Sequence, residues 1–217
     1  MFGFFNKKKA SIQSVEIPSF GWINTKNDGT IQQWINEEQT KSVSVNFFDL
    51  PPDLPTIKDL TTLRAFYRDQ VLGSNGGIIE IEKMDLKGLV AIKTIFKFAQ
   101  EPSGMSYVAC LTIPFKKCSY VIKIQALEAG MTGVRDTVVY TKLMTEGKLP
   151  TDSFEGWASD PYDSSIEEGS LMNLSEDKQY DAQFPTHPLS VVRALLQQMI
   201  GEVKFGKELQ QITTFNK

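Results

Sequence analysis

Histidine and cysteine are scarce in this chain: one His and two Cys among 217 residues. Two thiols, Cys110 and Cys118, cannot build a disulfide framework and lack the paired spacing of a zinc site, so both are expected to be free thiols in a reducing compartment. Any Ser-His-Asp or Cys-His device has only His187 as its base. Nowhere do about eighteen consecutive apolar residues occur, so no membrane span is expected. A net positive charge is also missing. The formal charge of -3 gives no overall field for neutralising phosphates, which excludes nucleic acid as a first expectation. Repeats and low-complexity tracts are absent, setting aside solenoids and collagen-like chains.

The opening residues, MFGFFNKKKA, place apolar side chains before basic ones. A secretory signal has the reverse order, and myristoylation needs Gly where Phe2 stands. The expectation is no export, no stable membrane insertion, a packed or frayed aromatic start and a cytoplasmic location. What the chain does contain is an ordinary globular mixture, 41% hydrophobic and 23% charged. Its length suits one domain, expected over 20–200, with an N-terminal extension at 1–19 and a tail at 201–217.

Along the chain, an Asp-Gly turn signal in TKNDGT (25–30) sits beside IQQWI and KSVSVNFF, whose aromatic and β-branched residues predict two early strands. Pro51, Pro52 and Pro55 then break regular structure. Leu60, Leu63, Tyr67 and Val71 recur at helical spacing, and Gly73 is the expected stop. Four β-rich segments follow between 76 and 128, joined by connections too short for parallel crossovers, so an antiparallel meander is predicted. In the second segment Val90, Ile92, Thr94, Phe96 and Phe98 share one face, with Lys93 and Lys97 on the other. In the fourth, Tyr120, Ile122 and Ile124 oppose Lys123 and Gln125. One covered face and one partly wet face are expected, with Glu80 and Glu82 placed to pair with Lys93 or Lys97. A helix over 134–144 is predicted to bury Val134, Val138 and Leu143 or Met144. Another opens at Pro188 and repeats Leu189, Val192, Leu196 and Met199. The fold class is therefore α+β, an antiparallel meander sheet flanked by helices.

Residues 151–187 show no sustained periodicity, and loops longer than about 15 residues are uncommon without a purpose. This stretch holds nine acidic residues against Lys178, a local charge of -8, while the remaining 22 bases and 17 acids leave +5 elsewhere. Trp157, Asp160, Tyr162, Asp163, Glu167 and Glu168 are the candidate contact residues, with His187 at the segment's end. DPYD (160–163) reads equally as an Asp-stabilised turn and as a contact surface. The DxDxDG spacing of a calcium loop is missing, and GSNGG (73–77) follows a helix rather than a strand, which is the wrong order for a phosphate cradle. Neither a metal nor a cofactor is implied. His187, in FPTHPL, is expected to form the turn into the last helix.

The stretches LRAFYRD (63–69), PSGMSYVACLTIPF (102–115), TGVRDTV (132–138) and LMNLSEDKQYDAQFPTHPLS (171–190) resemble a family of uncharacterised bacterial proteins. Over about 20–200 the order of elements is similar to the α/β/α sandwich of the PsbP-like superfamily. Members of that superfamily include a photosystem subunit and a Ran-binding import factor, and they act by docking to partners. The resemblance implies a binding role and assigns no contact residue. The functional expectation is a non-enzymatic protein-binding module whose acidic segment meets a partner with a basic surface. The alternatives are a hydrolase or metal-dependent enzyme using His187 with Asp177 or Asp181, and an acidic segment folded back over the chain's own basic groups.

Overall fold

A computed structural model describes residues 9–217. The aromatic start, expected to be packed or frayed, lies outside the described residues. In chain order the elements are β1 (Val15–Glu16), β2 (Ile23–Asn27), β3 (Ile31–Ile35), β4 (Lys41–Phe48), α1 (Leu60–Leu72), β5 (Gly76–Leu86), β6 (Leu89–Ala99), β7 (Met105–Pro114) and β8 (Ser119–Leu127). There follow α2 (Val134–Thr145), β9 (Ala158–Ser159), β10 (Met172–Asn173), α3 (Pro188–Glu202) and β11 (Lys204–Phe205). Seven strands form one antiparallel sheet in the order β2-β3-β4-β8-β7-β6-β5. The four predicted meander strands are thus contiguous, and the early strands extend the sheet from β8. The class is α+β, as the residue pattern predicts.

Local chemistry sets the connections. Asp28 accepts hydrogen bonds from the backbone N–H groups of Thr30 and Ile31, closing the β2–β3 turn. Lys87 and Gly88 both take positive φ, the geometry that joins twisted strands through two residues. Asp59 caps α1 by accepting from Thr61.

One sheet face is covered by α3, and the other is covered by α1 over β5 and β6 and stays partly exposed over β7 and β8. On one, Val45, Leu111, Ile122 and Ile95 pack with Leu189, Val192, Leu196 and Met199 of α3. On the other, Ile92 meets Leu63 of α1, while Ile78, Ile81 and Phe96 gather around Val71. A bulge at Ile79 turns that residue towards α3 while Ile78 and Ile81 face α1. Each fully buried Leu or Ile contributes about 1.5–3 kcal/mol. The expectation of one wet face is corrected for β6. Its Lys93 and Lys97 lie on the larger core's side, and Lys97 is buried. Lys93 is held by Glu80 and Glu82 at 2.5 and 2.8 Å, the pairing the alternation suggests.

Three further expectations change. Val134 and Val138 are exposed, and α2 turns Arg135 and Val139 inward beside Leu143, which is buried as expected. The expected extension contributes Ile12, Val15 and Ile17 to the main core, and β1 pairs with β11. The expected tail buries Val203, Leu209 and Phe215. The four apolar positions predicted for α3 are all buried.

Candidate functional site

Residues 151–187 fold back against the sheet and helices, and three of their carboxylates are internal anchors. Asp160 receives a two-pronged bond from Arg68 of α1, at 2.9 Å from Nε and 2.8 Å from Nη2. Glu176 takes the Lys97 ammonium at 2.7 Å, the Tyr107 hydroxyl at 2.8 Å and the Asn173 N–H at 2.8 Å. Asp181 accepts from Arg135, Arg193 and Ser190 at 3.0–3.2 Å.

Arg135 ties these parts together. Its Nε donates to the Ser175 carbonyl at 2.6 Å, Nη1 to the Ser190 hydroxyl at 2.8 Å and Nη2 to the Asp177 carbonyl at 3.0 Å. A buried guanidinium requires this complete set of acceptors. Its acceptors come from the acidic segment and α3, so α2, α3 and residues 175–181 share one anchor.

The predicted contact residues therefore separate. Tyr162 is half-buried, with its hydroxyl accepting from Ile81 N–H at 2.6 Å and donating to Ile81 C=O at 3.2 Å. Trp157 packs beside Val139 and Leu143, edge-on to Tyr140. Asp163 is exposed and caps a local turn through Ser165, and Glu167 and Glu168 are exposed. Buried Asp160 and half-buried Tyr162 belong to the molecule's own packing. Asp163, Glu167 and Glu168 remain as acidic surface.

His187 caps α3, its Nδ1 accepting from Leu189 N–H at 3.3 Å, and its ring stands edge-on to Tyr107. Burial and the Arg135 guanidinium hold its pKa down at about 4, so the ring is neutral near pH 7. Asp181 is occupied by two arginines, and Asp177 accepts from Gln179 N–H. Those carboxylates are engaged elsewhere rather than orienting the imidazole. Among the described residues no group of three His, Cys, Asp or Glu side chains could hold a metal ion, and no helix is long and apolar enough to cross a membrane.

His187 does line a groove of about 350 Å³ with Leu127, Met131, Val134, Phe184 and Pro188. Glu128 shapes one end. Its carboxylate accepts from Met105 N–H at 3.0 Å and Gly133 N–H at 2.7 Å, pinning the loop that carries Met131 into α2. Met131 in the loop before α2 and Val134 and Val138 on α2, one helical turn apart, then form an outward apolar stripe, 83%, 40% and 49% exposed. Sequence reading missed this stripe because it assigned the two valines to the core. The available signal was Arg135, which breaks a simple inward-valine pattern only when its buried acceptors are known.

A larger depression of about 590 Å³ lies between α3, β5, β6 and the acidic segment, lined in part by Ile79, Ile95, Met172 and Ile200. Two cations on its wall are neutralised within the molecule, Lys93 by Glu80 and Glu82, and Arg193 by Asp181. The cysteines are free, and burial pushes the Cys110 thiol up to about 11, away from nucleophile chemistry.

No family model matches this chain, and no curated protein sequence matches it. Among solved structures, it is similar to the Ran-binding protein Mog1p of Saccharomyces cerevisiae, at 11% identity and a TM-score of 0.45, covering 88% of this chain and 90% of that one. It is also similar to the cyanobacterial PsbP (CyanoP) of Synechocystis, at 15% identity and a TM-score of 0.37, covering 61% and 82%. With both TM-scores below one half, the fold class stands on this chain's own strand order and helix packing.

Proposed function

We propose that this chain is a non-enzymatic protein-binding module whose contact face is the outer side of α2 with the groove beside it. The supporting observation is the exposed stripe of Met131, Val134 and Val138, fixed in place by Glu128 and bordering a concave surface. Single exposed apolar side chains are ordinary; an apolar stripe beside a groove suits contact with a partner. His187 contributes to the groove wall as a neutral ring. Asp163, Glu167 and Glu168 add exposed negative charge that steers a partner with a basic surface.

The test compares wild type with a Val134→Asp, Val138→Asp variant as bait in native extract, with melting temperature as the control for folding. The reading expects a partner captured by wild type and lost by the variant. An Asp163→Asn, Glu167→Gln, Glu168→Gln variant should slow association and weaken its salt dependence. Identical captured proteins for wild type and the valine variant would sink the α2 face as the contact site.

A further inference from the structure

β5 is the outer strand of the seven-stranded sheet, and an outer strand offers unpaired backbone groups to any strand that comes alongside. The two-residue turn at Lys87 and Gly88 makes Leu86 and Leu89 a hydrogen-bonded pair. Alternation from that pair aims the backbone groups of Asp85, Lys83 and Ile81 outward.

Residues 160–170 lie across this edge as a strap. The Tyr162 hydroxyl bonds both backbone groups of Ile81, taking the N–H and donating to the carbonyl, which also accepts from Arg64 Nη2 at 3.3 Å. The Arg64 guanidinium rests 3.7 Å from the centre of the Tyr162 ring, and its Nε has no hydrogen-bond partner among the described residues. Farther along, Ser170 N–H donates to the Gly76 carbonyl. The Arg68–Asp160 clamp fixes the start of the strap, and Asp160 Oδ1 also accepts from the Tyr162 and Asp163 N–H groups at 2.9 and 3.0 Å.

A hydroxyl that satisfies both groups of one outward residue does for Ile81 what an added strand would do. We infer that the strap is an autoinhibitory cover: when Tyr162 releases Ile81, β5 pairs with β5 of a second copy of this chain. The edge is self-complementary in one antiparallel register. Setting Lys83 of one copy opposite Asp85 of the other makes two opposite-charge pairs about a two-fold axis. That register brings the Leu86–Lys87 turn of each copy across from Ile81 and Glu82, the place where Tyr162 stands. The tyrosine therefore blocks the pairing sterically and also occupies the backbone groups that strand addition would use.

The experiment uses the full chain with Tyr162→Phe, which removes the hydroxyl that anchors the ring at Ile81 and so frees the strap to leave the edge. Sedimentation across a concentration series reads association, hydrogen exchange reads the Ile81 amide, and far-ultraviolet circular dichroism reads the fold. The cover predicts Ile81 exchange about tenfold faster than in wild type, from the loss of one hydrogen bond, and a concentration-dependent dimer. Adding Lys83→Pro, which deletes an outward N–H, should return the protein to monomer. A folded Tyr162→Phe protein that stays monomeric at every concentration overturns the inference. So does a dimer that Lys83→Pro leaves intact, or association into open-ended aggregates. If Tyr162→Phe does not fold, Asp160→Asn, which loosens the Arg68 clamp, is put through the same series with the same deciding outcomes.

Discussion

Lys97 and Glu176 meet at 2.7 Å with only 3% and 1% of their side chains exposed. The pair joins β6, beside the edge strand β5, to a segment 79 residues away and is completed by the Tyr107 hydroxyl on the second carboxylate oxygen. Desolvating two charges is expensive, so such a pair adds little over an apolar replacement, whereas removing one partner leaves an uncompensated charge inside the protein.

Glu176→Gln should therefore destabilise the fold by about 3 kcal/mol or more, since Lys97 is left buried without its counterion. Combining it with Lys97→Met should recover most of that loss, because the glutamine oxygen still accepts from Asn173 N–H while its NH2 group donates to the Tyr107 hydroxyl, and no charge remains. Denaturant unfolding of the two single variants and the double variant measures the coupling directly.

Close approach of backbone makes a second test. A Cβ built on Gly77 would lie 1.7 Å from the Ser170 carbonyl oxygen. Gly77→Ala must push the strap off β5 or distort the strand, and either response should cost about 2 kcal/mol or more. Limited proteolysis between 160 and 170 should accelerate in this variant.

The orientation of α2 is checked by neighbours in sequence. Val139 is buried and Val138 is half-exposed. Val139→Ala should lower stability by about 1–3 kcal/mol, while Val138→Ala should change it by no more than about 0.5 kcal/mol. Equal losses at the two positions would contradict the packing.

Acid should weaken the fold partly through His187. Its folded pKa of about 4 lies below the ordinary 6.5, because burial and Arg135 disfavour the charged ring. As pH falls through that window the unfolded chain binds the proton first. The stabilisation is therefore complete above the unfolded value and declines towards the folded one. For a part-exposed ring, solvent screening reduces this to about 1 kcal/mol. His187→Gln should flatten the stability profile between pH 6.5 and 4, as followed by urea midpoints.

The meander, α1 and α3 were legible because local alternation and helical spacing act through burial, which every residue reports for itself. β6 shows the limit. Lys97 alternates as a solvent-facing lysine would, and only Glu176 from far along the chain explains why it can be buried. The same gap misplaced the face of α2, where Arg135 is accepted inside by carbonyls of 175 and 177 that no periodicity announces. The acidic excess of 151–187 was visible at once, but its division into internal anchors and exposed Asp163, Glu167 and Glu168 depends on which cations the fold brings near. Of the contact residues read from sequence, His187 alone lines the groove beside α2, and the stripe became visible only when the helix was seen to turn Val134 and Val138 outward beside Met131 of the preceding loop.

The account rests on the acidic segment being clamped to the body of the protein, and native-state hydrogen exchange over 151–187 tests that most directly. The amides of Asn173, Leu174 and Ser175 donate to Glu176, to the Trp157 carbonyl and to the Asn173 side chain. They should exchange through the same global opening as the central strands β7 and β8. Exchange of these three amides at the rate of an exposed peptide, while β7 and β8 stay protected, would show the segment detached and contradict the account.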